Sequence, residues 1–212
     1  MMMKGVLTFV SLLSFWLIFS PCEIFAQDYG LKGGVVISTI NGQGNTSLRP
    51  GLQVGAFKKF GATERLFVQM EALFTQKGSW NWDKQNHNNI NLYYFDFALM
   101  FGIIVGEKFT INLGIQPSVF VGGNYKYFED GLDRNMSLYG EVSAMDYATL
   151  FGLEYDLNDD FTLGGRFNYS FVPLQSYNNI FSESGDLPYS MVLQLYAKLK
   201  MDKVLNMITT DD

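Results

Sequence analysis

Three groups of residues have types and spacings that could do chemistry. His87 stands in KQNHNN four residues after Asp83, the beginning of a proton relay or a metal site. Glu71, Glu154 and Asp156 are carboxylates of the kind that work in pairs during glycoside hydrolysis. NGQGNTS, from Asn41 to Ser47, has the look of a phosphate-binding glycine loop. None of the three is complete. His87 is the only histidine, and a catalytic or metal site needs several partners at fixed geometry, so it reads as a solvated loop residue. The glycine segment lacks the third Gly and the following helix; Arg49 and Pro50 lead instead into another strand, so it reads as a flexible surface loop. The carboxylates read as charges balanced by Arg166, Lys32 and Lys198 inside a narrow barrel. No catalytic residue, metal or cofactor is expected.

What must position those carboxylates is a set of strands. In RLFVQMEALFTQKG, from Arg65 to Gly78, one alternate set is Leu66, Val68, Met70, Ala72 and Phe74, and the other is Phe67, Gln69, Glu71, Leu73 and Thr75. Strand side chains point to opposite faces with period two, so the segment has one apolar face and one largely polar face carrying a carboxylate. Eight such segments are predicted: Tyr29 to Thr39, Gly51 to Phe60, Arg65 to Gly78, Leu92 to Ile104, Phe109 to Gly123, Asp146 to Leu157, Phe161 to Pro173 and Pro188 to Lys200. Phe95, Phe97, Leu99 and Phe101 share one face, as do Ile111, Leu113 and Ile115, and no charge interrupts either set. The opposite faces carry Asp96, Asn112, Gln116, Asn168 and Gln194, which suits a polar lumen and not the dry core of a soluble barrel.

The connections alternate in length. Those over 40–50, 79–91, 124–145 and 174–187 are long, and those over 61–64, 105–108 and 158–160 are short. Outer-membrane barrels have tight periplasmic turns and extended extracellular loops, so both termini are expected in the periplasm. Tyr29, Tyr93, Tyr94, Tyr147, Tyr155 and Tyr189 stand near strand ends, where interfacial girdles need amphipathic rings.

A secretory leader precedes the strands. Met1 to Lys4 is a short positive start, Val6 to Phe19 an apolar core, and Ala26 ends a cleavage site before Gln27. Residues 1–26 are therefore expected to be removed, 27–200 to form the barrel, and 201–212 to form a periplasmic tail. Cys22 follows Pro21 where lipid attachment needs a small residue, so it is expected to leave with the leader. The mature chain then has no cysteine for disulfides, thiolate chemistry or zinc. The leader holds one charge of each sign, Lys4 and Glu23, so the formal net charge of -6 survives processing. That sign excludes nucleic acid as a partner, because phosphate binding needs clustered Lys and Arg.

YGLKGGVVISTING, RLFVQMEALFTQKG, NLYYFDFALMFG, FTINLGIQPSVFVGG, DYATLFGLEYDL and FTLGGRFNYSF together resemble the outer-membrane β-barrel family of Bacteroidota often called PorT-like proteins. The resemblance covers nearly all of the mature chain. It rests on the GLKGG-type first strand, on Gln69, Glu71, Leu73 and Phe74 in the third, on Gly114, Gln116 and Pro117 in the fifth, and on a Gly-rich sixth. It implies a barrel, with an assembly role in a secretion system as one functional option. The chain departs from the pattern by continuing past Lys200.

The expected fold is all-β, an eight-stranded antiparallel up-and-down transmembrane β-barrel in a Gram-negative outer membrane. Its lumen is too narrow for bulk diffusion and is expected to hold a charge network of Lys32, Glu71, Asp96, Glu154, Asp156, Arg166 and Lys198. Within it, Arg166 is expected one diagonal step from Glu154. The long loops expose Trp80, Trp82, Tyr125, Tyr127, Phe128 and Tyr139, a surface that can recognise a protein or glycan, while outer-membrane lipid surrounds the wall. A soluble lipocalin-like carrier would require the reverse arrangement, with apolar faces inside.

Overall fold

The structure is a computed structural model and describes residues 27–41, 48–61, 63–80, 89–129, 132–174 and 188–201. The expected leader, the segment 42–47, Trp82, Asp83, His87 and the expected tail beyond Met201 lie outside the described residues.

Nine strands form one antiparallel sheet: β1 (Gln27–Asn41), β2 (Arg49–Gly61), β3 (Leu66–Trp80), β4 (Asn89–Val105), β5 (Phe109–Glu129), β6 (Leu132–Ser137), β7 (Met145–Asp156), β8 (Phe161–Ser170) and β9 (Tyr189–Lys200). Eight of them are staves of a closed barrel. Each pairs with the next in sequence, β5 passes directly to β7, and β1 pairs with β9 from Gly30 opposite Lys200 to Asn41 opposite Tyr189. Closure leaves the staves no free edge, which is the condition for a sheet to exist in lipid.

The sixth strand corrects the expected loop over 124–145. The fifth stave continues to Glu129, and the chain returns as β6 paired against it, Asn124 opposite Ser137 and Glu129 opposite Leu132. The extension is a polar hairpin without the alternating apolar face of a membrane strand. A register shift at Tyr93 and Tyr94 of β4 falls where β5 leaves β7 beyond Val119, while β5 stays paired with β4 as far as Lys126 opposite Asn89.

Alternation sorts the side chains as the sheet requires. Along β7 exposed and buried residues alternate without a break from Met145 to Tyr155. Leu113 is 63% exposed and Leu153 53% exposed on the outer face, where Phe97, Phe101, Ile111 and Leu195 also lie, while Asn112, Gln116, Arg166 and Gln194 are buried inside. This is a lipid-facing wall around a polar interior. It excludes the soluble carrier, which needs the opposite sides.

Aromatic rings edge the apolar wall. Towards the long connections Phe74 stacks on Tyr93, Tyr147 on Phe171 and Tyr169 on Tyr189; towards the short turns Phe109 contacts Tyr155. Tyr147 and Tyr155 are eight residues apart on β7. At about 3.3 Å per residue and a tilt of about 40°, that separation is roughly 20 Å along the barrel axis, close to the height of an outer-membrane apolar band.

Local chemistry makes the short turns. The Asn158 side-chain oxygen accepts the backbone N–H groups of Asp160 and Phe161, at 3.0 and 2.8 Å, closing the link from β7 to β8. Thr63 Oγ1 does the same for Arg65 and Leu66 between β2 and β3, at 3.3 and 3.0 Å.

One glycine sets the interior geometry. Gly164 on β8 faces Tyr196 on β9, and a methyl built on it would lie 2.5 Å from two ring carbons of Tyr196. The ring thus lies over bare backbone and directs its hydroxyl at Glu154, 2.7 Å away. Gly164→Ala is expected to push the ring out of place and lower stability by about 1–3 kcal/mol, as overpacking does. Urea unfolding in lipid vesicles measures it, and unchanged stability would show that the ring has another place to go.

Candidate functional site

The polar lumen has two charged levels with a belt of amides between them. Nearer the short turns, Glu71 on β3 is the hub. Arg166 on β8 reaches across the lumen and forks onto it, donating from Nη1 to Oε2 at 2.7 Å and from Nη2 to Oε1 at 2.9 Å. Lys32 on β1 donates to the same carboxylate at 2.8 Å, and the Gln69 amide adds a donor at 2.7 Å. Lys198 on β9 joins the second carboxylate to the first: it lies 2.5 Å from Glu154, 3.8 Å from Glu71, and donates to Gln69 at 3.0 Å. Tyr196 supports the cluster with its ring, 3.7 Å below the Lys32 ammonium.

The second level lies towards the long connections. Lys77 on β3 donates to Asp96 on β4 at 3.1 Å and stands 4.0 Å from Asp146 on β7. Arg49 on β2 donates to the Lys77 carbonyl and to the Asn91 side chain, and Ser170 donates to Asp146. Above this level Ile40, Ile90, Leu92, Tyr94, Leu138, Val142 and Leu174 pack together, with Phe120, Tyr125 and Met136 against them. Leu138, Val142 and Leu174 come from outside the strands, so the segments following β6 and β8 fold in and cap the mouth with apolar side chains.

The candidate network therefore divides. Lys32, Glu71, Glu154, Arg166 and Lys198 meet at one level. Asp96 belongs to the other, and Asp156 stays near the short-turn rim, where it accepts a 2.5 Å bond from Thr162. Arg166 stands one diagonal step from Glu154, which is opposite Gly164, as expected, but no ion pair between the two is among those of the described residues. Arg166 stands opposite Gly152, and its long side chain spans the lumen to Glu71 while Glu154 takes Lys198 and Tyr196.

Gln69, Lys77, Asp146, Tyr196 and Arg49 are partners that sequence reasoning did not single out. Strand parity marks them: Gln69 and Lys77 share the face of Glu71, and Tyr196 shares that of Gln194 and Lys198. Neither Glu71 nor Glu154 can act as a solvent-facing acid pair, since both are buried and held by cations.

The candidate recognition residues scatter. Trp80 ends β3 half-buried, its ring 5.9 Å from the Arg49 guanidinium. Tyr125 and Tyr127 lie on the extended part of β5 and stack at 5.1 Å and 20°. Tyr139 is 77% exposed beside the capping residue Leu138. Trp82 and the Phe128 side chain lie outside the described residues.

A closed eight-stranded barrel with an apolar wall, aromatic edges and a filled polar lumen is an outer-membrane β-barrel. The chain belongs to the family described as outer membrane protein beta-barrel domain, which matches residues 25–176. Among solved structures, Ail, the attachment invasion locus protein of Yersinia pestis, is similar with a TM-score of 0.52 and 13% identity, over 83% of this chain and 99% of that one. The same values hold for Ail in complex with the heparin analogue sucrose octasulfate. Neisserial surface protein A is similar with a TM-score of 0.52 and 10% identity, again over 83% and 99%. At these identities the likeness is one of fold. No curated protein matches the chain.

Proposed function

We propose that this barrel is a closed recognition module with no transport or catalytic role, which binds a partner at the end where its long connections gather. The short turns and both termini face the periplasm, after removal of residues 1–26. The observation that carries this reading is the blocked lumen: the Glu71 network closes one level and the apolar cap the next, leaving the outer surface as the place to work. Stacked Tyr125 and Tyr127 and exposed Tyr139 supply rings suited to sugar faces or protein anchors.

Attachment is in the name of Ail, whose complex holds a sulfated ligand. A polyanion does not suit this chain. Residues 42–48, 81–88, 124–144 and 171–187 together hold seven Asp and Glu against three Lys and Arg. An uncharged glycan or a basic protein surface fits that balance.

In planar bilayers the folded protein is expected to give no conductance steps. Tyr127→Ala combined with Tyr139→Ala is expected to leave folding intact and weaken retention on the bound glycan or protein about tenfold, equivalent to about 1.4 kcal/mol. Stepwise conductance would sink the closed module, and undiminished retention would sink the role of the tyrosines. The motifs shared with PorT-like proteins support a second reading, a secretion-system assembly component, which a stoichiometric protein partner co-purifying from detergent-solubilised outer membrane would favour.

A further inference from the structure

Closure removes the free edges of the staves, but the hairpin of β5 and β6 rises outside that closure. β6 stands last in the strand order, and among the described residues it pairs with β5 alone. Its backbone groups can be assigned one by one. Leu138 donates its N–H to the Gly123 carbonyl at 3.1 Å, so the bonded pairs of this antiparallel ladder are Leu138 with Gly123, Met136 with Tyr125 and Arg134 with Tyr127. The intervening residues Asp133, Asn135 and Ser137 therefore turn their N–H and C=O groups away from β5. Asn135 and Ser137 are exposed, while Met136 packs against the apolar cap and fixes the hairpin over the mouth.

The edge is raised clear of the lipid. Asn135 stands opposite Lys126, seven residues beyond Val119, where β5 leaves β7. At about 3.3 Å per residue and a tilt of about 40°, with one residue lost to the bulge, it lies roughly 15 Å above that point.

A row of backbone donors and acceptors repeating every second residue matches another extended chain. Sugar hydroxyls have no such repeat. A second copy of this barrel fits poorly, because antiparallel pairing of two β6 edges needs a two-fold axis perpendicular to the sheet, which lies in the membrane plane and points the two barrels in opposite directions. Parallel pairing needs an axis along the strand, and at a tilt of about 40° that axis tips the second barrel by about 80°. Copies on facing membranes would oppose two acidic surfaces, each with seven Asp and Glu against three Lys and Arg in its long connections. A basic chain meets attraction there instead.

We propose that β6 is a docking edge that takes an extended segment of a partner protein, rich in Lys or Arg, as an added strand held by the backbone groups of Asp133, Asn135 and Ser137. This names the partner of the recognition module and rests on that reading. Backbone pairing supplies the affinity, and the acidic surround selects the charge.

The test uses the full-length mature protein folded in detergent and, as probe, an array of peptides of about ten residues with Lys or Arg at alternate positions and varied residues between them. A subset is expected to be retained in a saturable way. Asn135→Pro removes an N–H at the centre of the edge and no donor of the β5 ladder, a place where a sheet accepts proline. It is expected to weaken retention about tenfold. Asn135→Ala loses only the 3.2 Å side-chain contact with Asn124 and is expected to bind as the wild type does. The same peptides N-methylated throughout keep their charge and are expected not to bind, an arm that needs no variant of the protein. Retention of no peptide would overturn the proposal, and equal retention by Asn135→Pro or of the methylated peptides would overturn it in favour of charge alone. Self-association of the wild type that Asn135→Pro abolishes would overturn it in favour of a second copy. Conductance steps bear on the closed module and not on these outcomes, so the two readings fail separately.

Discussion

Replacing Glu71 with leucine is expected to lower the stability of the folded barrel by about 3–5 kcal/mol, the cost of leaving buried cations without their carboxylate, less whatever residual lumen water recovers. Glu71 takes the two terminal nitrogens of Arg166, the Lys32 ammonium and the Gln69 amide, and has Lys198 at 3.8 Å. Removing it strands three cations with only Glu154. Truncating Arg166 to methionine in the same protein should then cost far less than it does alone. A double-mutant cycle in vesicle unfolding measures the coupling directly. Strong coupling of Arg166 to Glu71 with weak coupling to Glu154 is expected from the contacts; the reverse order would mean that Arg166 lies along the wall and does not span the lumen.

Arginine on the lipid face is expected to be nearly as damaging. Leu153 points outward from β7 and is flanked on neighbouring staves by Ile111 and Gly165. Leu153→Arg should cost about 2–4 kcal/mol, because the guanidinium must stay in hydrocarbon or reach for the interface. Arginine at Tyr139, which lies outside the strands and is exposed, should cost little. Folding titrations in vesicles compare the two. Equal effects at both positions would mean that Leu153 does not meet lipid.

The staves were legible because a membrane barrel writes its wall in period two. Leu66 to Phe74 and Phe95 to Ile103 need no information beyond themselves to separate lipid from lumen, and the strand ends fell within a few residues, apart from the long extension of β5. Alternation carries no information about which inward residues meet across the interior. Arg166 and Glu71 lie on β8 and β3, 95 residues apart in sequence and not on neighbouring strands, so the side-chain reach that joins them is invisible in a pairwise register. The cap was hidden for a different reason. Leu138, Val142 and Leu174 are isolated apolar residues in aperiodic segments, and only the closed mouth gives them a common destination. Lys77 was within reach of parity, six residues beyond Glu71 on the same face, but it stands next to Gly78, where the strand was expected to stop.

The seam between β1 and β9 has a consequence for assembly in time. It joins the first and last staves of the barrel, so this pairing is the least local contact in the wall and carries the largest loop-closure entropy. Until it forms, the first and last staves each present an unpaired backbone edge that hydrocarbon does not tolerate. The Glu71 cluster bridges this join, with Lys32 on β1 and Lys198 on β9 both drawn to carboxylates on other staves. A chain with seven staves in place therefore lacks both ladders of β9, to β8 and to β1, and the latch that secures them. Insertion becomes an all-or-none event late in folding, and the polypeptide must be kept from aggregating during its passage to the membrane until its final strand arrives.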